Sequence, residues 1–326
     1  MTRVFTKAAF VALGLALAAP VSAQTTLRLA HYASTTSTTH AAAEMFASEV
    51  EARSGGAIRV TVHPAHELGD DPSQVRGVRL GTIDMAVIGN TFFTGMAPEL
   101  SVLDLPYLFT SPDHAYAVLD GDIGAEIHDI FRTHGIQVLG NWEIGFRNIT
   151  NNVRPIATPD DLRGLSIRTT PNPAHVTAFE AFGASPTPMP FSEVYLALET
   201  GAVDGQENPV VLTHAMRFHE VQRYMSITRH AYTAAFLVMN AGRFDRFSEE
   251  ERAMLQEVGQ IAGQHERDLI AAREAASLAA MIEDGLEVLE EPDREAFRAI
   301  AVESAHTAYV DNHGTALLDR IDALAD

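Results

Sequence analysis

The chain contains no cysteine. That absence excludes disulfides, thiolate-bound zinc, iron–sulfur clusters and a cysteine nucleophile, so packing must hold the fold together. Lysine is nearly absent as well: Lys7 is the only one in 326 residues, and no GxxxxGK[ST] phosphate loop occurs. A GxSxG nucleophile elbow and an HExxH zinc helix are also missing, which weakens the case for an enzyme. Cations are scarce, with 23 Lys plus Arg against 43 Asp plus Glu and a net charge of −20. So acidic a chain is a poor partner for nucleic acid or anionic lipid. At 46% hydrophobic residues it is not disordered, and its length suggests about two domains.

The sequence opens with a leader pattern. Arg3 and Lys7 precede an apolar stretch of twelve, Ala8 to Ala19, and Val21-Ser22-Ala23 has the small-x-small form of a cleavage site. Residues 1–23 therefore read as a secretory signal peptide, the stretch being shorter than the roughly 20 residues a transmembrane helix needs. No later segment approaches that length of uncharged apolar sequence. Cleavage in a bacterial periplasm would leave 21 cations against 43 acids. All of those cations are arginines, whose planar fork matches a carboxylate.

Thr26 to His31 alternates like a strand, and a Ser/Thr-rich loop leads into a helical pattern from Ala41 to Arg53. Ile58 to His63, Asp71 to Leu80 and Thr82 to Ile88 continue as strand, helix and buried strand. This alternation predicts a doubly wound α/β domain on a largely parallel sheet, with ligands at the carboxyl ends of its strands. The pattern restarts near Gly140, with strands expected at Val138–Trp142, Arg147–Asn151 and Leu165–Thr169 and a helix over Ala174–Phe182. Gly183 to Pro190 reads as a proline-stiffened loop. Beyond it Ser192 is expected to cap a helix that turns Tyr195, Leu196 and Leu198 inward and ends at Gly201. From the capping box Ser248-Glu-Glu-Glu251, a proline-free helical run persists to about Ile282. At 1.5 Å per residue it would span roughly 50 Å, enough to cross two domains. No internal repeat is evident.

Of the fourteen histidines, His63 with His66 and His214 with His219 are conceivable metal pairs, but pairs arise by chance at this number, and no metal or cofactor is expected. Asp120-Gly-Asp122 with Glu126 lacks the ligand run of a calcium loop and reads as a solvated turn. The more informative residues are Arg147, beside a strand end, and Arg168, where a short strand meets a proline loop. On a parallel sheet such strand ends face one cleft, where a guanidinium can offer a carboxylate two parallel N–H bonds. Surface ion pairs are the alternative use of both.

Gly183 to Pro209, GASPTPMPFSEVYLALETGAVDGQENP, resembles the signature of the TRAP-transporter solute-binding proteins, the DctP family. The likeness extends to LGDDPSQVRGVRLGTIDMA (Leu68 to Ala86), GFRNITNNVRPI (Gly145 to Ile156) and FHEVQRYMSITRH (Phe218 to His230). It implies a periplasmic receptor of two α/β lobes, of the Venus-flytrap type, joined by crossing strands and a long hinge-spanning helix. The lobes would comprise residues 24–144 with 234–273, and 145–233 with 274–326. The resemblance places the bidentate carboxylate contact on Arg168, a second arginine on Arg147, an amide on Asn208 and an aromatic on Phe191. Glu207 is expected to be structural, because a carboxylate facing an anion would repel it.

In this reading two guanidinium groups await an anion whose arrival makes closure favourable. The first lobe would supply selectivity through His31, Tyr32, Asn90, Thr91 and Phe92, with Asp70 and Asp71 at the same rim as hydroxyl acceptors, solvated residues or helix caps. Sialate-binding members of the family carry an acidic residue and an arginine where this chain has Gly89-Asn90-Thr91-Phe92, and an asparagine at Tyr32. The expected ligand is therefore a smaller monocarboxylate: a uronate, a keto- or hydroxy-acid, or an aromatic acid. The resemblance implies TRAP membrane permease subunits as partners. A sensory receptor presenting its acid to a membrane kinase and a periplasmic hydrolase are the alternative functions.

Overall fold

The computed structural model of the chain describes residues 24–325, so the leader expected over 1–23 lies outside the described residues. Strand β1 (Thr25–His31) leads into helix α1 (Thr38–Arg53), strand β2 (Ile58–His63), helix α2 (Asp71–Leu80) and strand β3 (Met85–Gly89). β1 lies between β2 and β3 and is parallel to both. Helices α3 (Pro112–Leu119) and α4 (Asp122–Thr133) cover this first lobe. The chain then enters β4 (Ile136–Asn151), one sixteen-residue strand where the sequence suggested two. Register shifts at Val138/Gly140, Glu143/Gly145 and Arg147/Ile149 interrupt the apolar alternation and make one bent strand look like separate pieces.

The second lobe repeats the plan with β5 (Ser166–Thr169), α5 (Pro173–Ala181), β6 (Ser185–Pro188), α6 (Val194–Glu199) and β7 (Gly205–Pro209). β5 is parallel to β6 and β7. β6 occupies the segment expected to be only a loop; it forms the edge of the sheet, where prolines are tolerated because the outer donors are unused. The two halves share a device that the sequence reading did not detect as a repeat. Gly81 and Gly201 both adopt left-handed φ, and three residues on, Asp84 and Asp204 accept the backbone N–H of Arg28 in β1 and Ser166 in β5. Ser192 does not cap α6, which begins from a 3₁₀ turn at Phe191–Glu193 without a side-chain cap. Leu198 is buried as expected, but Leu196 is 62% exposed.

Helix α7 (Val210–Ala215) leads to β8 (Tyr224–Asn240), which runs antiparallel to β4 along its length and pairs with β3 at its far end. These crossing strands merge both lobes into one sheet of order β2-β1-β3-β8-β4-β7-β5-β6. The sheet is mixed rather than largely parallel, because the crossing strands β4 and β8 run antiparallel to each other and to β7 and β3 respectively. After a short helix α8 (Ala241–Phe244), helix α9 (Glu249–Glu283) has the expected length and the Ser248–Glu251 capping box. It lies directly on β4: a Cβ on Gly259 would meet Leu139 O at 2.5 Å, and one on Gly263 would meet Asn141 O at 2.4 Å. Trp142 Nε1 donates to Gly259 O at 3.1 Å across the same contact. Strand β9 (Glu287–Leu289) pairs with β8. Helices α10 (Arg294–Ala301), α11 (Thr307–His313) and α12 (Ala316–Asp322) finish the chain. α12 crosses back to the first lobe, where Ile321 O meets His114 Nε2 at 2.9 Å and Arg320 pairs with Glu126. No described helix is long and apolar enough to cross a membrane.

Candidate functional site

The strand ends of both lobes converge on a small closed cavity of about 20 Å³. The first lobe contributes Tyr32, Asp71, Gly89, Thr91 and Phe92. Crossing strand β4 contributes Ile144 and Arg147, and the second lobe contributes Arg168, Thr170, Phe191, Asn208 and Leu212. Arg168 and Asp71 are at most 1% exposed, so the lobes stand closed over the site.

Arg168 sits on β5 immediately before the Thr-Thr-Pro turn. Its Nε and Nη2 both donate to Met189 O, at 3.2 and 2.7 Å, while Nη1 has no partner. Among the described residues, no carboxylate lies within ion-pair distance of it. Burial pushes its pKa down to about 10, opposed in part by the more distant Glu207. A desolvated, unpaired guanidinium is costly unless an anion meets it. The ring of Phe191 lies 5.9 Å from its Cζ and packs edge-on against Tyr32 of the opposite lobe, centroids 5.7 Å apart.

Arg147 differs from the expectation of a second waiting cation. Its Nε and Nη2 grip the Glu207 carboxylate, Nη2 also lies 3.1 Å from Asn208 Oδ1, and Nη1 donates to Thr233 Oγ1 at 3.2 Å. The pair is buried at 2% and 0% side-chain exposure. Although burial opposes ionisation, Arg147 and the His230 hydrogen bond hold the Glu207 carboxyl well below the usual carboxylate range. Glu207 is therefore structural, as its chemistry suggested, and it neutralises Arg147. Asn208 passes a further hydrogen bond from Nδ2 to Gln206 Oε1.

Asp70 and Asp71 divide two roles. Asp70 is the N-cap of α2 and accepts the N–H of Ser73, whereas Asp71 turns into the cavity. Asp71 Oδ2 meets His66 Nε2 at 3.0 Å, and buried Oδ1 has no partner. Tyr32 OH lies 3.2 Å from Thr39 Oγ1.

Asn90 corrects the sequence reading. It is fully buried, but its amide turns away from the cavity and donates to Leu100 O at 2.8 Å and Asp104 Oδ2 at 2.5 Å. The neighbouring Gly89, Thr91 and Phe92 line the site in its place. His31 is also outside the lining; its Nε2 meets His40 Nδ1 at 3.1 Å, and burial with His40 and His66 pushes its pKa down to about 3. Thr170, Ile144 and Leu212 were not foreseen. Thr170 could have been found as the second residue after Arg168 on a strand entering the cleft, but the two aliphatics carry no chemical signal. Asp120 is more than a solvated turn residue, since its carboxylate takes two hydrogen bonds from Arg267 at 2.6 and 3.1 Å. Among the described residues, no group of three His, Asp or Glu side chains could hold a metal ion, and His214 and His219 merely pack with ring centroids 5.4 Å apart.

Residues 29–311 match the family described as "Bacterial extracellular solute-binding protein, family 7", DctP. The 2,3-diketo-L-gulonate-binding periplasmic protein YiaO of Escherichia coli is 39% identical over 295 residues, 90% of each chain. A TRAP periplasmic solute-binding protein from Bordetella bronchispeptica, with ligand density assigned as pantoate, is 38% identical with a TM-score of 0.90, covering 93% of this chain and 100% of that one. Another from Polaromonas, bound to D-erythronate, is 31% identical with a TM-score of 0.90, covering 92% and 99%. These relatives are periplasmic binding proteins of transporters, not enzymes, and this chain belongs to the same family, the TRAP-type solute-binding proteins.

Proposed function

We propose that this receptor captures a small hydroxy- or keto-monocarboxylate between its lobes and delivers it to TRAP permease subunits, with Arg168 as the carboxylate anchor. The observation that carries this reading is the pairing of two buried orphan atoms across one cavity, Arg168 Nη1 and Asp71 Oδ1. The first is a donor without an acceptor, the second an acceptor without a donor. A ligand with a carboxylate at one end and a hydroxyl beyond it satisfies both. Arg147 and Asn208 shape the floor, and each retains N–H capacity toward the same carboxylate. Phe191, Tyr32 and Phe92 supply apolar walls.

Pantoate, D-erythronate and 2,3-diketo-L-gulonate, named for the relatives, share a carboxylate beside hydroxyl or keto oxygens. That common chemistry supports the class. The proposed lobes, 24–144 with 234–273 and 145–233 with 274–326, divide at the β4 irregularity Glu143/Gly145, opposite Ala234 and Thr233 of β8. The leader over residues 1–23 would take the chain to the periplasm, where this family works.

The test is a thermal-shift screen of the mature chain against pantoate, D-erythronate, 2,3-diketo-L-gulonate, D-glucuronate, succinate and benzoate. An acid at 100 times its dissociation constant stabilises the folded state by about 2.7 kcal/mol. A clear upward shift with a hydroxylated monocarboxylate is expected; a response confined to succinate or benzoate, or to none of the acids, would refute the proposed ligand class.

A further inference from the structure

Behind the cavity, and outside its lining, one carboxylate joins the two lobes. Asp104 ends the 3₁₀ turn Pro98–Asp104 that follows β3 in the first lobe and is fully buried. Its Oδ2 accepts Asn90 Nδ2 at 2.5 Å and Asn172 Nδ2 at 2.7 Å. Asn90 follows Gly89 and precedes Thr91, both of which line the cavity. Asn172 belongs to the second lobe, two residues beyond Thr170 and four beyond Arg168, and its Oδ1 caps α5 by accepting Ala174 N. A single oxygen thus bridges the ligand loop of each lobe; Asn90 Nδ2 also donates to Leu100 O and Asn172 Oδ1 caps α5, while Asp104 Oδ1 and Asn90 Oδ1 are left without partners.

We infer that Asp104 and Asn172 form the closure latch of this receptor, a contact between lobes that touches no ligand but sets how long the closed complex lasts. The inference rests on the proposed capture of an acid between the lobes. Its physical basis is that the Asp104–Asn90 bond lies within one lobe and survives opening, whereas the Asp104–Asn172 bond spans lobes and must break for the acid to leave. The latch therefore acts on dissociation. Diffusional entry through the open cleft precedes its formation, so association is largely spared. Asp104 and Asn172 are positioning residues, since neither borders the cavity.

The experiment measures association and dissociation by stopped flow, using whichever acid of the panel above shifts the wild type most. Asn172→Ser retains an oxygen that can cap α5 but loses the reach and the donor toward Asp104. It should raise the dissociation rate about tenfold while changing association less than twofold, as expected for loss of one buried hydrogen bond. Its melting temperature without acid should match that of the wild type. Asp104→Ala should behave like Asn172→Ser in dissociation, with the double variant no worse than Asp104→Ala alone. Asp104→Asn, which keeps one oxygen toward both amides, should restore near-native dissociation. Unchanged dissociation in Asn172→Ser, or a loss spread equally over both rates, would overturn the latch while leaving the ligand class standing. Failure of every acid to bind the wild type would remove the functional reading and the latch together.

Discussion

Glu207 determines which of two buried guanidinium groups is left for a ligand, because it saturates much of Arg147 and leaves Arg168 with carbonyl contacts alone. The two arginines should therefore respond oppositely to truncation of their surroundings. Glu207→Ala leaves Arg147 buried without its carboxylate and should cost about 3 kcal/mol of stability in urea unfolding, because breaking one side of a buried pair strands a charge. Arg168→Ala removes a cation that has no carboxylate partner among the described residues, so its unfolding midpoint should equal or exceed that of the wild type. Its affinity in calorimetric titration should fall at least tenfold, with Arg168→Lys less affected because a point charge keeps attraction but loses the fork. A collapse of folding in Arg168→Ala with unchanged affinity in the remaining folded fraction would contradict this division. The sequence did pick out residues that the fold gathers: Arg147, Arg168, Asn208, Phe191, Tyr32, Phe92 and Asp71 all border one cavity, on which the proposed binding site rests. The orientation of Asn90 and the neutralisation of Arg147 were not legible there. Each depends on a partner far along the chain, Asp104 at fourteen residues and Glu207 at sixty, brought into place by tertiary folding and strand register.

Among the elements, helix α9 was the easiest to read and β4 the hardest, for related reasons. The helix has a capping box, no proline and a sustained period, all local signals. β4 carries Gly140, Glu143 and Gly145 at its register shifts, so its alternation breaks wherever it bends between lobes. The strand–helix contact explains why Gly140 is needed: a Cβ there would meet Gly259 O at 2.3 Å. Gly259 and Gly263, one turn apart on α9, fit the other side of the same close approach. Gly263→Ala should then destabilise the protein by about 1–3 kcal/mol despite the better helix propensity of alanine, because overpacking against backbone cannot be relieved by a rotamer change. The control is Gly285→Ala, where no atom lies within 4 Å of the added Cβ but φ is +104°, so only backbone strain is introduced. Chemical unfolding of Gly263→Ala at wild-type stability would show that the helix can lift from the strand at little cost.

At the scale of the whole molecule, closure places acids as well as arginines out of water. Glu266 lies midway along α9, fully buried, with Oε2 3.4 Å from Glu143 N and Oε1 without a partner. Burial pushes its pKa up to about 8; hydrogen bonds from Thr39 and the Glu143 backbone oppose the shift, the Glu143 carboxylate adds to it, and Arg267 opposes it. Tyr32 also faces this region from the first lobe. Asp104 is likewise pushed up, to about 7, chiefly by burial. For such a carboxyl the folded chain holds a proton that the unfolded chain has released, so the stability it contributes is complete below about pH 4.5 and is lost as pH rises to about 8. Glu207 and the buried histidines His31 and His175, all with lowered pKa values, have the opposite sign and lose stability toward acid pH. Asp104, Glu207 and these histidines are common to the wild type and Glu266→Gln, so their contributions cancel and Glu266 should dominate the difference between the two. The melting temperature of the wild type should fall relative to that of Glu266→Gln between about pH 5 and pH 8, while below about pH 4, where Glu266 is neutral in both the folded and the unfolded chain, the difference should be nearly constant. Parallel curves from pH 5 to 8.5 would mean that Glu266 is already ionised in the folded chain and that the closed hinge accommodates its charge.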